Sequence, residues 1–359
     1  MCRHNRDRFA ATCLQLAVPH CHRWIFRVDE QARQEMIKAV VAIADSAKSL
    51  FDYRPADFAW SKTLQILSAA LEEVKRGRGV ALIKGLPREE LTAHQFEILT
   101  WGLGLHSGVP RPQGKETQYI SAVRNAGMDY RTGTGRGYSS NADLDFHTDS
   151  SDIIFLSCFN KAVSGGKTII SSSMAGHDVM VREYPEQVKW LYEPIAFSRQ
   201  GEQAPDEGPY VVMPIFSECK GKWFGRWNWN RVRSAQKIEG APQLKPEQFA
   251  ALEQFDQVMR RPDVAYEMWL EPGDVQIISS HVTLHSRTEF VDHEDPAKKR
   301  LLYRLWIAPP DSDQMPESWR DLYRSCEPGT VRGGIRGFKH DERCKQFEAR
   351  QAKDCGMAA

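Results

Sequence analysis

The sequence predicts an α+β protein with a mainly β core and with helices packed around the outside of that core. Clear helical periodicity is restricted to a few segments, among them residues 30–50, 58–74 and 246–259. Short apolar runs bounded by glycine, proline or aspartate recur through much of the remainder, which is typical of strands. Because barrels of this length occur as single domains, we expect a leader over residues 1–29 and one domain over residues 30–359.

Composition and charge favour a globular chain whose partner is a small molecule. Hydrophobic residues make up 41% and charged residues 26% of the 359 residues, and the formal net charge is +1. This charge argues against nucleic acid or an anionic membrane as a partner. No apolar run approaches the roughly 20 residues of a membrane helix. The sequence leaves the oligomeric state open, including a homo-oligomer.

The number and spacing of the cysteines indicate the redox state of the cellular compartment. The chain has eight of them, with no Cys-x-x-Cys pair and no zinc-like spacing. This pattern predicts free thiols and therefore a reducing, cytoplasmic location.

The first third of the chain predicts a layer of helices with one buried strand. Residues 30–50 and 58–74 carry apolar residues at helical spacing, and glycines follow the second helix where a helix C-cap favours them. Residues 80–86 then read as a short buried strand, and Thr92 starts another helix. We interpret this opening as a layer outside the core.

Residues 104–140 predict a loop-rich region with one strand at 118–123. Loops of this density run over the surface or over a binding site. Tyr138 precedes the stretch that carries the strongest chemical signal, so it is a candidate wall of a binding pocket. A loop tyrosine packed for structural reasons is an equally good interpretation.

That signal is the triplet His147-Thr148-Asp149, which runs into the apolar segment 153–156. In a strand, residues i and i+2 project from the same face, so His147 and Asp149 can hold one ion. Two imidazoles and one carboxylate form the facial triad of non-heme Fe(II) oxygenases. The second imidazole can come from His281 or His285, and both remain open on spacing alone.

Between His147 and His281 lie a segment with paired glycines and a segment rich in tryptophan. Gly165-Gly166 separates two apolar runs and predicts a hairpin turn that returns the chain beside the metal-binding strand, with Thr168 near the site. Residues 196–222 show no usable pattern. Residues 223–231 alternate aromatic with polar residues; an amphipathic strand that buries its tryptophans is favoured over an aromatic substrate cage.

The last predicted core strand, residues 300–307, carries two arginines on one face. Alternation places Arg300 and Arg304 on the same side of an otherwise apolar strand, after a turn at 271–274 and a strand at 275–278. Buried arginines are costly unless they meet anions. Two structural salt bridges are the alternative to two bound anionic ligands.

Taken together and in this order, these motifs resemble the taurine dioxygenase (TauD/TfdA) family of Fe(II)- and 2-oxoglutarate-dependent oxygenases. The resemblance extends over a core of residues 79–310. It is carried by the following motifs: His147-Thr148-Asp149, Gly165-Gly166-Lys167-Thr168, Gly273-Asp274, His285-Ser286-Arg287-Thr288 and Arg300-Leu301-Leu302-Tyr303-Arg304. It implies a double-stranded β-helix, or jelly roll, with peripheral helices, and it implies Fe(II), 2-oxoglutarate and O2 as cofactor and co-substrates.

The resemblance also implies roles for individual residues. It selects His285 over His281 as the third iron ligand beside His147 and Asp149. It assigns Arg300 and Thr168 to the C5 carboxylate of 2-oxoglutarate, and Arg304 to an anionic group of the substrate.

The substrate predicted in this way is a small anionic or amino-acid-like molecule whose anion lies on Arg304. Fe(II) with its triad and 2-oxoglutarate is neutralised by one arginine, so a second arginine suits a substrate anion. We expect Asp143 to meet an ammonium group, with a solvated loop aspartate as the alternative interpretation, and we expect Tyr138 and the Trp227 region to close the cavity. Hydroxylation, oxidative cyclisation such as C–N bond formation, and desaturation all remain open. A hydrolytic or non-catalytic metal-binding jelly roll is a further alternative.

Overall fold

The computed structural model describes residues 22–45, 47–127 and 139–358. Its strands are β1 (Ile25–Arg27), β2 (Val80–Lys84), β3 (Val109–Pro110), β4 (Ile120–Val123), β5 (Leu144–His147), β6 (Ile153–Asn160), β7 (Ser164–Gly165), β8 (Thr168–Ser172), β9 (Ile195–Ser198), β10 (Tyr210–Met213), β11 (Phe216–Cys219), β12 (Lys222–Gly225), β13 (Ala265–Met268), β14 (Val275–Ser279), β15 (Thr283–Arg287), β16 (Phe290–Val291) and β17 (Leu301–Ala308). Its helices are α1 (Glu30–Ile43), α2 (Lys62–Arg76), α3 (Ala93–Leu105), α4 (Ser173–Glu183), α5 (Pro185–Val188), α6 (Trp229–Ala235), α7 (Pro246–Met259), α8 (Arg320–Tyr323) and α9 (Glu342–Asp354).

Two sheets form the core, and the helices lie on their outer faces. The larger sheet has the strand order β1-β2-β14-β6-β17-β3, with β4 beside β17, and the smaller has the order β13-β8-β15-β5. Buried side chains of the two sheets pack against each other, among them Trp306 of the larger sheet and Ile170 of the smaller. The predicted α+β class with a mainly β core is thereby confirmed.

Helix α3 shows how the larger sheet receives its outer layer. Thr92 caps the helix by accepting from the Gln95 backbone N–H, while the Gln95 side chain accepts from the Thr92 backbone N–H. Most of the helix is buried, as expected for a helix that is apolar all round. A Cβ at Gly104 would lie 2.6 Å from Leu305 Cδ2, so glycine allows the helix to approach β17 closely.

Strand β17 confirms the predicted alternation. Leu301, Tyr303, Leu305 and Ile307 pack against the helical layer. Arg300, Leu302, Arg304 and Trp306 face the space between the two sheets. One strand therefore contributes both to the hydrophobic core and to a polar cavity, because successive side chains point to opposite faces.

The sequence predicts one continuous strand from His147 to Leu156, but the structure has two separate strands there. Strand β5 ends at His147 in the smaller sheet, and β6 begins at Ile153 in the larger sheet, so Asp149 lies where the chain crosses between sheets. The predicted pairing of the chain after Gly165-Gly166 with the preceding strand was wrong, because β8 pairs with β13 and β15 and not with β6. Strand β6 is already flanked by β14 and β17, so the returning chain enters the opposite sheet.

Other local predictions were confirmed or corrected. Helix α4 ends at Glu183, and Pro185, which has no backbone N–H to donate, begins the short helix α5. The tryptophan-rich segment is strand only to Gly225 and becomes helix α6 at Trp229, but its tryptophans are largely buried, as the favoured interpretation requires. The patternless stretch 196–222 contains strands β10 and β11 and most of β9.

Segments near both ends of the described chain form backbone pairs with distant parts of the protein. Strand β1, which lies within the predicted leader, pairs in parallel with β2. In the C-terminal part, Ile335 forms a parallel bridge with Gln113. Within the described ranges, no helix is long and apolar enough to cross a membrane. The five cysteines that lie in those ranges are free thiols, as predicted.

Candidate active site

Three side chains converge between the sheets. His147 at the end of β5 and His285 in the middle of β15 are directly opposite each other across the antiparallel pair, with ring centroids 4.3 Å apart. Asp149 follows two residues after His147, and the potential ligand atoms of all three side chains lie within 4.8 Å of one another. Of the two histidines that spacing left open, the structure brings His285 into the group. His281 instead binds Asp152 through Nε2 at 3.0 Å.

Neighbouring groups fix the orientation of His147 and Asp149, whereas His285 has a buried ring nitrogen that faces them. His147 Nδ1 lies 2.9 Å from the Asp145 carbonyl oxygen, which leaves Nε2 for the site. Trp306 Nε1 donates to Asp149 Oδ2 at 2.9 Å, and Arg304 Nη1 lies 3.3 Å from the same oxygen. His285 Nε2 is buried without a hydrogen-bond partner in the described chain. A ring nitrogen left in this state needs a ligand.

The electrostatics of the triad match metal binding. Burial alone would raise the pKa of Asp149, but the charges of Arg304, His285 and His147 lower it to about 2. Burial, together with the neighbouring His147, lowers the pKa of His285 to about 3, and burial also lowers the pKa of His147. At neutral pH the site therefore offers one carboxylate and two neutral imidazoles, the donor set of a facial-triad iron site. The residues present fit Fe(II).

The segment around Trp227 holds the backbone that follows His147 in place by hydrogen bonds. The sequence analysis did not predict this role. Trp227 accepts a hydrogen bond of 2.8 Å from the Thr148 backbone N–H. Buried Arg226 donates from Nη1 to the Asp149 carbonyl at 2.7 Å and from Nη2 to Ser150 Oγ at 3.0 Å. The polar residues that alternate with the tryptophans were the available signal.

The triad opens into a cavity of about 130 Å³ between the two sheets. Five arginines and two carboxylates line it: Arg226, Arg231, Arg287, Arg300, Arg304, Asp149 and Glu202. Asn228, Asn230, Gln113 and Ile335 also contribute to its walls. Small polar or anionic molecules fit this lining better than apolar ones.

Arg300 is the arginine of this cavity that most clearly needs an anion. Its side chain is buried, its Nη1 has no hydrogen-bond partner among the described residues, and its guanidinium lies 4.9 Å from the Phe290 ring. Burial lowers its pKa to about 10. A Cβ on Gly166 would lie 3.3 Å from Arg300 Nε, so the predicted glycine pair leaves space for this side chain. Thr168 lines the same cavity.

The remaining predicted substrate residues have different positions. Arg304 lines the cavity, but it also contacts Asp149 and donates from Nε to Gln113 Oε1 at 2.9 Å. Asp143 is exposed, lies outside the cavity lining and accepts from the Glu289 backbone N–H. That position does not support a contact with substrate, because β5 begins only at Leu144 and Asp143 therefore does not share the strand face that carries His147. Tyr138 lies outside the described residues.

Comparisons with known proteins agree with this geometry. The family model described as taurine catabolism dioxygenase TauD, TfdA family matches residues 43–306. FR-33289 synthase of Streptomyces rubellomurinus (strain ATCC 31215) is 29% identical over 305 residues, covering 84% of this chain and 90% of that protein.

Solved structures share the fold at low sequence identity. Asparagine oxygenase in complex with Fe(II), 2S,3S-3-hydroxyasparagine and succinate has a TM-score of 0.59 at 17% identity, covering 79% of this chain and 93% of its own. The non-heme iron oxygenase OrfP in complex with Fe and alpha-ketoglutaric acid has a TM-score of 0.58 at 16% identity, covering 79% of this chain and 94% of its own.

Proposed function

Because the chain belongs to the taurine catabolism dioxygenase TauD, TfdA family, we propose that it oxidises an unactivated C–H bond of a small anionic or amino-acid-like molecule. The family makes it a 2-oxoglutarate-dependent non-heme iron oxygenase with Fe(II), 2-oxoglutarate and O2 as cofactor and co-substrates. The observation that carries the proposal is that one cavity is lined by the His147, Asp149 and His285 group and by Arg300, whose Nη1 has no hydrogen-bond partner among the described residues.

We assign the iron ligands to His147 Nε2, a carboxylate oxygen of Asp149 and His285 Nε2. Bound iron, together with 2-oxoglutarate and O2, supplies C–H oxidation with release of succinate and CO2. The protein holds the ligands in place: Trp306 donates to Asp149 Oδ2, and the Asp145 carbonyl fixes the His147 ring. Such outer contacts set ligand orientation and basicity.

We assign the C5 carboxylate of 2-oxoglutarate to Arg300, with Thr168 as a second contact. A planar guanidinium binds a carboxylate in a forked geometry, and burial strengthens that interaction. Arg300 is 6% exposed, and no carboxylate lies within ion-pair distance of it in the described chain. Hydrolysis would need no such second anion site, which argues against the hydrolytic jelly roll.

The cavity charge favours an anionic substrate. Its five arginines and two carboxylates leave an excess of three positive charges. Fe(II) and dianionic 2-oxoglutarate cancel each other, so this excess remains for the substrate. We place the substrate anion beside Arg304, where Gln113 and Asp149 hold the guanidinium in position. Structural neighbours are described with hydroxyasparagine and hydroxy-L-Arg, in keeping with an amino-acid-like compound.

The outcome at the C–H bond is proposed as hydroxylation, with cyclisation and desaturation as alternatives that depend on substrate placement. We further propose that residues 30–359 form one domain whose two sheets are the halves of a jelly roll.

The test is anaerobic loading of the purified protein with Fe(II) and 2-oxoglutarate, followed by exposure to O2 and measurement of succinate. We expect succinate that depends on both Fe(II) and 2-oxoglutarate and that rises with a substrate. The panel comprises free amino acids, carboxylates, sulfonates and uncharged terpenoids. Stimulation by the uncharged compounds alone would remove the anionic-substrate proposal, and no succinate under any condition would remove the oxygenase proposal.

A further inference from the structure

A buried ion pair on the cavity wall is not needed for binding iron or 2-oxoglutarate. Arg231 Nη2 lies 2.7 Å from Glu202 Oε2, with side-chain exposures of 14% and 4%. Both residues line the cavity that contains the triad. Neither Arg300 nor an iron ligand is on the segments that carry this pair, which are the loop after β9 and helix α6.

This pair lies on the side of the cavity where the substrate anion is placed. A Cβ on Gly114 would lie 3.3 Å from Glu202 Oε1, and the preceding residue, Gln113, binds Arg304. Arg231 belongs to the same segment as Arg226, which holds the Asp149 carbonyl. The pair is therefore continuous with the wall beside Arg304 and Asp149.

A second glutamate in the same loop already ties the loop to the rest of the protein. Glu207 lies within ion-pair distance of Arg199, Arg324 and Arg336, and it does not line the cavity. Buried ion pairs contribute little net stability, because the cost of removing two charges from water offsets their attraction. Arg231 also donates from Nη1 to the Ser198 carbonyl at 3.0 Å, so the Glu202–Arg231 pair is held in position by the end of β9 while both side chains line the cavity.

We propose, on the basis of the proposed function, that Glu202 and Arg231 determine specificity by binding a dipolar group of the substrate, namely an amide or the ammonium and carboxylate of an amino acid. The pair presents carboxylate oxygens of Glu202 as acceptors and the guanidinium of Arg231 as a donor on one part of the cavity wall, so it complements a group with both an N–H and an oxygen acceptor. An apolar substrate group placed against the pair would remove water from the charges of Glu202 and Arg231 without offering hydrogen bonds in return. Binding of such a group is therefore unfavourable. The substrate anion remains beside Arg304.

Three matched pairs of compounds test this proposal. Each pair keeps one anion and changes only the other end: succinamate and pentanoate, L-2-amino-4-phosphonobutyrate and butylphosphonate, L-homocysteate and butanesulfonate. Substrate-dependent succinate and oxidised product are measured in the wild type. We expect stimulation by the dipolar member of at least one pair and little by its apolar-ended partner. Equal stimulation by both sets, or by neither, overturns the proposal.

Glu202→Gln and the matched control Glu207→Gln then separate a binding role from loop integrity. We expect Glu202→Gln to raise the KM of the dipolar compound about tenfold or more, with a smaller change in kcat, because a charge-assisted hydrogen bond is lost. Glu202→Asp should restore part of the effect, and Arg231→Lys should weaken binding because the fork is lost. Glu207→Gln should keep the wild-type preference.

The outcomes distinguish this inference from the proposed function. If Glu207→Gln alters the preference as much as Glu202→Gln does, the pair acts only through loop structure and the inference fails. Failure of the proposed function has a different signature: the wild type then forms no succinate that depends on Fe(II) and 2-oxoglutarate, with or without a test compound. Thermal melting of each variant establishes that it is folded.

Discussion

At the residue scale, the site depends on histidines that look alike in sequence but have different surroundings. His285 has a buried, unpartnered Nε2 facing His147 and Asp149, whereas His281 binds Asp152 among aromatic side chains. Only three residues separate them, yet His285 lies in β15 of the smaller sheet and His281 lies in the turn that precedes this strand. Sequence spacing alone left both open, and the family resemblance selected His285.

We expect His285→Ala to abolish iron binding and turnover, because two remaining protein ligands do not hold the metal in a triad site. The measurement is iron per protein chain after anaerobic loading, together with succinate formation. His281→Ala is the matched control: it should lose stability but keep iron and measurable turnover. Full activity of His285→Ala would refute the ligand assignment.

Arg300, immediately before β17, and Arg304, within it, differ in the groups that they contact. We expect Arg300→Ala to weaken 2-oxoglutarate binding by about 2–5 kcal/mol, because a buried charge-paired contact is lost, while iron binding persists. The measurement is the concentration of 2-oxoglutarate that gives half-maximal succinate formation. Arg304→Ala should mainly affect Asp149 and the substrate. If Arg304→Ala abolishes 2-oxoglutarate binding and Arg300→Ala does not, the two roles must be exchanged.

At the element scale, the strand carrying the arginines was predictable and the path of the metal-binding segment was not. Period-two alternation in residues 300–307 depends only on local backbone geometry, and the structure agrees with it. The crossing between β5 and β6 depends on which sheet each strand joins, a choice made by partners distant in sequence. The clamp by Arg226 and Trp227 is missed for the same reason.

We expect Arg226→Gln to lower iron affinity about 10- to 100-fold, as is typical when groups that orient metal ligands are lost. Its guanidinium holds the Asp149 carbonyl and Ser150 Oγ, and glutamine cannot replace both contacts. Iron titration under anaerobic conditions measures the effect. Arg233→Gln in the following helix α6 is the control, since the Arg233 guanidinium packs over the Trp229 ring and does not line the cavity. If Arg226→Gln and Arg233→Gln bind iron with equal affinity, the orienting role given to Arg226 is wrong.

At the scale of the whole molecule, helix α9 is joined to the core by a buried carboxylate. Glu348 lies 2.9 Å from Arg111 Nη1 and 3.1 Å from His340 Nε2, and it accepts from the Tyr119 hydroxyl. Burial opposes ionisation, but the charge of Arg111 and the hydrogen bonds from His340 and Tyr119 lower the pKa of Glu348 to about 2. These contacts connect the end of the described chain to the loop after α3.

This network predicts acid sensitivity. Because the pKa of Glu348 is below its ordinary value of 4.5 in the folded state, its stabilisation is present above about pH 4.5 and is lost as the pH falls toward 2. The effect is on the order of 3 kcal/mol. Urea unfolding between pH 7 and pH 3 measures it, and Glu348→Gln should be less stable at pH 7 and should show a flatter pH profile. A wild-type profile in that variant would contradict the prediction.

The bridge between Ile335 and Gln113 has a consequence for the order in which the protein becomes functional during synthesis. Residues that bind iron and 2-oxoglutarate leave the ribosome before Ile335, which lines the same cavity as the triad. The cavity therefore lacks part of its wall while the chain is still being made. Productive binding of a substrate between the sheets has to wait for translation of the C-terminal segment, so a nascent chain can acquire its metal ligands before it can exclude water from them.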